Sequence, residues 1–350
     1  MTEEVLTVKG LEVGVTTDGD YFNIVNNVSF SLEKGTTLGI VGESGCGKSM
    51  TSLALMGLLP PAVSYKGGEI NLKQRDLTKL KKKEWRKYRG KDIAMIFQEP
   101  MTSLNPVYTI GFQIVELIRN HQSITKKQAY ERALHMLELV GIPRPTEVLH
   151  EYPHQLSGGM RQRVMIAIAL SCNPDILVAD EPTTALDVTI QAQILELMKK
   201  IQTELDMSII LITHDLGVVA EICDTVIVMY AGEVVEESNV VELFQNPKHP
   251  YTKGLLEAIP DIENEREYLS SIPGVVPSPG NMPKGCRFAP RCSMAHERCK
   301  KEPPTFSINE KSTCKCWKTH HSSTFRPAQL VRSRGQPRAF PARRTALPSE

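Results

Sequence analysis

Long hydrophobic runs are missing from these 350 residues. The longest apolar stretches, VMIAIAL (residues 164–170) and IILI (residues 209–212), are core-sized and fall well short of the ~18 residues that a membrane-crossing helix needs. The chain is therefore expected not to span a membrane by itself. An excess of either charge is also missing: 41 Lys+Arg stand against 40 Asp+Glu, a formal net charge of +1, which argues against a protein that coats polyanions. Aromatic residues make up only 6%, too few for an interleaved platform that stacks single-stranded nucleic acid. The N-terminus, MTEEVLTVKG, lacks the basic segment and apolar stretch of a secretory signal, so a cytosolic or cytosol-facing protein is expected. What the chain does have is 41% hydrophobic residues, enough for one large core or one core plus an appendage.

Short β-type runs at residues 5–15, 37–41, 93–97, 175–180, 208–213 and 224–229 alternate with helix-like sequence. Continuous apolar strands separated by helices predict an α/β sheet covered on both faces. Two stripes, Ala129/Ala133/Met136/Leu137/Val140 and Ile190/Ile194/Leu197/Ile201, have helical spacing and are expected to face the core. Residues 105–172 read as a helical subdomain inserted into the sheet domain, which itself covers residues 1–250. Prolines then break the texture, and residues 251–321 read as an extension carrying five of the eight cysteines: Cys286, Cys292, Cys299, Cys314 and Cys316. In a reducing compartment such a cluster points to metal rather than to disulfides. Residues 322–350, rich in arginine and without apolar period, are expected to be disordered. Taking away the six arginines and one glutamate from Phe325 onward leaves 35 basic and 39 acidic residues, a mildly acidic body with a basic end.

Gly42-Glu43-Ser44-Gly45-Cys46-Gly47-Lys48-Ser49, followed by Met50, matches the pattern Gly-x-x-x-x-Gly-Lys-Ser between a predicted strand and a predicted helix. Glycines let the backbone wrap a phosphate so that amides and the helix N-terminus face the anion. Lys48 is then placed to reach the β- and γ-phosphates, and Ser49 to ligate Mg²⁺. A second element, residues 176–181 (ILVADE), delivers two carboxylates at a strand end. Asp180 suits Mg²⁺ coordination and Glu181 suits a general base or water-positioning group. A third, Leu156-Ser157-Gly158-Gly159-Met160-Arg161-Gln162-Arg163, offers another anion-binding turn at a helix start. One site needs only one phosphate loop, so the second turn suggests another nucleotide, or a shared one.

With these motifs in order, the sequence resembles the ATP-binding cassette (ABC) ATPases, whose signature is LSGGQ; Met160 stands where that family usually has glutamine. The resemblance covers residues 1 to about 320 and implies a P-loop NTPase fold of ABC type: a mixed α/β sheet core with an inserted helical subdomain, here followed by a cysteine-rich C-terminal extension. It implies that Ser157, Gly158 and Gly159 contact ATP held by a partner cassette. It also assigns Gln98 to the Q-loop, sensing Mg²⁺ and attacking water, and Ala185-Leu186-Asp187 to the D-loop. His214 becomes the switch histidine at the γ-phosphate, and Tyr21 or Phe22 the candidate for stacking on adenine.

Residues 97–106 (FQEPMTSLNP) and HPYTKGLLEAIP (residues 249–260) with the following CRFAPRC resemble the dipeptide/oligopeptide importer subgroup, which also includes nickel and glutathione systems. The resemblance implies an ATP-hydrolysing subunit, peripheral on the cytoplasmic face of the membrane. Its expected partners are a second ABC ATPase subunit (a paralogue by family precedent), two integral membrane permease subunits and, indirectly, an extracytoplasmic peptide-binding protein; nucleic acid is not among them. The spacing Cys286-x5-Cys292-x6-Cys299 lacks the Cys-x2-Cys knuckles of structural zinc. Members of the subgroup with a similar pattern carry a [4Fe–4S] cluster, which implies ligation by Cys286, Cys292, Cys299 and Cys316, with Cys314 as the alternative fourth ligand and zinc as the alternative metal. Nickel or glutathione import, and a soluble cassette ATPase acting on DNA, are the rival readings. The 59-position spacing from Gln98 to Ser157 fits the compact helical domain of a transporter cassette.

Overall fold

A computed structural model of the chain describes residues 3–17, 19–98, 103–183, 187–259, 271–309 and 311–322. Its centre is an eight-stranded mixed sheet in the order β11-β12-β10-β9-β3-β8-β7-β6. Its parallel strands are β9 (Thr225–Tyr230), β3 (Thr37–Val41), β8 (Ser208–Thr213), β7 (Ile176–Asp180) and, at the edge, β6 (Ile93–Ile96). Every residue of β3, β7 and β8 is buried, as parallel strands covered on both faces must be. Alternate side chains serve two cores. Leu177, Ala179, Ile209 and Leu211 face the helices, whereas Ile176, Val178, Ile210 and Ile212 face a second sheet.

That second sheet is antiparallel, ordered β2-β1-β4-β5, with β1 (Glu4–Thr17), β2 (Asp20–Glu33), β4 (Val63–Leu72) and β5 (Arg75–Asp76). The helix Lys48–Leu55 lies in the core between the two sheets, burying Ala54 and Leu55. Among the described residues between Ile96 and Ile176 there is no strand; the segment holds the helices Ile110–His121, Lys126–Leu139 and Gly158–Leu170. The stripe of Ala129, Ala133, Met136, Leu137 and Val140 is buried, as its spacing predicts. Ile194, Leu197 and Ile201 of the helix Val188–Leu205 are buried too, with Ile190 at the margin.

The C-terminal residues depart from the picture of a loose appendage. Antiparallel β10 (Glu233–Asn239) is extended by β12 (Ser312–Cys314) and β11 (Phe306–Asn309), so the chain returns to close one edge of the main sheet. Glu233 anchors the return, pairing with Arg287 at 3.0 Å and Lys315 at 2.8 Å. The link of β12 to β10 was hidden because the two strands lie about 80 positions apart in sequence. The basic end, residues 323–350, lies outside the described residues.

Candidate active site

The C-terminal ends of β3, β6, β7 and β8 meet at one edge of the sheet, where α/β proteins place their ligand sites. Immediately after β3, residues 42–47 turn with positive φ at Gly42 (155°), Gly45 (79°) and Gly47 (106°) before the helix opens at Lys48. A Cβ on Gly42 would sit 2.2 Å from the Met229 carbonyl oxygen, so only glycine fits there. Lys48 Nζ donates to the Gly42 and Glu43 carbonyls at 2.6 and 3.1 Å, holding an ammonium inside the loop. Cys46, 1% exposed, packs in the core beneath this loop, and burial pushes its thiol pKa up; Met50 packs beside the same core.

Opposite the loop, Asp180 ends β7 and accepts from Ser52 Oγ at 3.0 Å and Ser49 Oγ at 3.4 Å. Burial raises the Asp180 carboxyl above the ordinary aspartate range, and the two serine hydroxyls pull it back. The next residue, Glu181, sits at φ 47°, a left-handed conformation that turns its carboxylate away from the strand. Gln98 Nε2, just past β6, donates to Glu181 Oε2 at 2.8 Å. His214 Nδ1, just past β8, lies 3.0 Å from Glu181 Oε1. Glu43, Ser44, Lys48, Gln98, Glu181 and His214 line one open cleft, together with residues 274–276 of the C-terminal region. The arrangement offers amides and an ammonium for an anion, hard oxygen donors for a small divalent cation, and an aimed carboxylate for water.

The signature turn lies elsewhere on the surface. Ser157 caps the helix Gly158–Leu170 by accepting from the Met160 amide at 3.3 Å, and Ser157 and Gly158 are exposed. Asp187 caps the helix Val188–Leu205 at 2.9 Å from the Ile190 amide; Ala185 and Leu186 lie outside the described residues, as do residues 99–102 of the Q-loop run. Neither aromatic candidate for adenine lines the cleft. Tyr21 sits opposite Thr16 with Lys66 Nζ 4.6 Å from its ring centroid, and Phe22 packs beside Gly280. Two residues that motif spacing does not reveal join the site: Ser52, one turn beyond Ser49 on the same helix, and Arg291, paired with Glu43. Helical i, i+3 spacing from Ser49 is a signal that finds Ser52.

Four of the five clustered cysteines, Cys286, Cys292, Cys299 and Cys316, line a single small pocket with His296 and Trp317. Cys299 Sγ lies 3.2 Å from His296 Nδ1, and the Cys286 amide donates to the Cys299 carbonyl at 2.9 Å. Burial pushes the Cys286 thiol up to about 11 and raises those of Cys292 and Cys316 as well. Cys314 is fully buried in β12 opposite Glu236 and does not line that pocket. Among the described residues, no three His, Cys, Asp or Glu side chains already stand close enough to hold one metal ion.

Residues 25–184 match the family model described as ABC transporter, and residues 235–299 match that of the oligopeptide/dipeptide transporter C-terminal region. The oligopeptide transport ATP-binding protein AppD of Bacillus subtilis is 54% identical over 295 residues, 84% of this chain and 90% of AppD. The dipeptide transport ATP-binding protein DppD of the same organism is 53% identical over 317 residues, 90% of this chain and 95% of DppD. Among solved structures, the dimeric post-hydrolysis state of the ATP-binding cassette MJ0796 bound to ADP and Pi aligns with a TM-score of 0.60 at 28% identity, over 67% of this chain and 98% of that one.

Proposed function

The chain belongs to the ABC transporter family, among the ATP-binding proteins of oligopeptide and dipeptide transport, and from that premise we propose that it hydrolyses ATP to drive a peptide importer. The observation that carries the chemistry is the convergence of Lys48, Ser49, Asp180, Gln98, Glu181 and His214 at one sheet edge. ATP phosphates take the amides of residues 42–49 and draw Lys48 away from the loop carbonyls it holds. Ser49, Asp180 and Gln98 present the oxygen donors that suit Mg²⁺, which when bound neutralises charge on the β- and γ-phosphate oxygens. Glu181, oriented by Gln98 and His214, takes a proton from the attacking water. The new bond joins that water oxygen to the γ-phosphorus, the bond to the ADP oxygen breaks, and ADP and phosphate leave.

The exposed signature turn of Ser157, Gly158 and Gly159, with Asp187, then completes the ATP site of a second cassette, a paralogue of this chain. Two permease subunits, fed by an extracytoplasmic peptide-binding protein, carry the solute, while this subunit sits peripherally on the cytoplasmic face. No helix among the described residues is long and apolar enough to cross a membrane. Adenine, outside the phosphate cleft, stacks on Tyr21 or Phe22 in this reading. The functional parts are the ATPase domain of residues 1–250 with its helical subdomain at 105–172, the extension of residues 251–321, and a basic tail from 322. The extension holds a [4Fe–4S] cluster on Cys286, Cys292, Cys299 and Cys316, with zinc the alternative. Support comes from the gathering of these four thiols, and not Cys314, around one pocket.

The test is the Glu181→Gln subunit in the assembled complex. ATPase should fall by at least about a hundredfold with ATP binding retained, since the amide keeps the shape and loses the base. Turnover within twofold of wild type contradicts the assigned role.

A further inference from the structure

We propose that Arg291, supplied by the C-terminal region, is a positioning residue for the ATP phosphate loop and acts through Glu43. The proposal rests on residues 42–49 being that loop. Arg291 and Glu43 are 248 positions apart, yet the guanidinium meets the carboxylate in a two-pronged pair, Nη1 to Oε2 at 2.6 Å and Nη2 to Oε1 at 2.9 Å. The backbone of Glu43 is held from the same direction, its amide donating to Tyr251 Oη at 2.9 Å. One loop residue is thus gripped at both main chain and side chain by residues that follow the ATPase motifs.

The grip is rigid. Arg291 has a side chain 4% exposed, and it also donates to two carbonyls, Nε to Pro273 at 2.8 Å and Nη2 to Ile272 at 3.2 Å. A guanidinium so buried needs its partner, and the fork geometry fixes direction as well as charge. Beneath it, Tyr230, Tyr251 and Phe288 form a packed aromatic triad with centroids 4.7 to 5.4 Å apart. Residues 274–276, which follow the two carbonyls, line the phosphate cleft with Lys48 and Glu181.

The loop is where such a grip matters. Three of its residues are glycines at positive φ, so the free loop has many conformations to lose when it closes on phosphate. The Glu43 carbonyl also accepts from Lys48 Nζ at 3.1 Å, so the placement of Glu43 helps set where the ammonium rests. Ordering the loop in advance lowers the cost of binding ATP and leaves the chemical step at Glu181 unchanged. Arg291 directly precedes Cys292, which lines the thiol pocket.

The experiment compares wild type, Lys48→Ala, Arg291→Gln, Arg291→Lys, Glu43→Gln and the Arg291→Gln/Glu43→Gln double variant of the full chain. ATP affinity is read with a fluorescent ATP analogue, nucleotide-free Tm by calorimetry, and KM and kcat in the assembled complex. Arg291→Gln and Glu43→Gln should each weaken ATP binding and raise KM about tenfold, with kcat within about twofold. Arg291→Lys should fall between, having the charge without the fork. The double variant should be no weaker than either single one, because both cut the same link. Unchanged ATP affinity in folded single variants, a loss confined to Tm, or additive losses each overturn the proposal; Glu43→Gln keeps it testable where Arg291 variants fold poorly. Wild type that binds no more ATP than Lys48→Ala overturns the functional reading itself, whereas wild type that binds ATP alongside an unaffected Arg291→Gln overturns only the clamp.

Discussion

Cys314 and Cys316 are two positions apart, but they have opposite surroundings. Cys314 points into the sheet core of β12 against Glu236, and Cys316 turns into the pocket shared with Cys286, Cys292 and Cys299. Strand alternation alone does not choose between them, since residues i and i+2 of a strand share a face; the strand ends at Cys314, and that ending frees Cys316 to turn. Anaerobically purified Cys314→Ala should retain iron and acid-labile sulfide, whereas Cys316→Ala should lose both. The reverse pattern, or stoichiometric zinc in place of iron, contradicts the assignment. At this scale the residues that converge on the cleft were legible because each motif names a residue type that the chemistry demands at a fixed offset. Arg291 was not legible, because an arginine before a cysteine has no motif to mark it and its partner is 248 positions away.

The helices that open at Lys48, Gly158 and Val188 show how elements carry the site. Each begins where a side chain or loop leaves amides facing outward, and only the first faces this chain's own cleft. At Gly158 an added Cβ would meet nothing within 4 Å in the isolated chain, so Gly158→Val should cost no more than ~1 kcal/mol of stability. The same substitution should reduce ATPase of the paired cassettes by at least about tenfold, because the partner's ATP must approach the backbone there. A full-rate Gly158→Val complex contradicts the shared site. The parallel strands were legible as short apolar runs, with ends correct to a residue or two: residues 93–97 read as β6 became Ile93–Ile96. Of the antiparallel sheet only β1 was, as residues 5–15. Its strands β2 and β4 mix polar and apolar residues on a sheet exposed along one face, and their register carries repeated bulges that blur the two-residue period.

The whole molecule divides less cleanly than its composition suggests. Three cysteines, Cys46, Cys172 and Cys223, are packed in the ATPase core and five lie beyond residue 280, but the later residues are built into the main sheet through β12 and into the phosphate loop through Arg291. Composition registers a change of texture at the prolines and cannot register a return, because sheet pairing and ion pairs depend on contacts distant in sequence. The near-zero net charge likewise averages a mildly acidic body and an arginine-rich end. The most direct measurement is ATP-dependent accumulation of labelled di- and oligopeptides by membranes carrying the complete transporter, with wild-type or Glu181→Gln subunit. The account predicts uptake with the wild type and its loss with Glu181→Gln at unchanged assembly. Peptide accumulation at the wild-type rate with Glu181→Gln, or none with an assembled wild type that hydrolyses ATP, would contradict it.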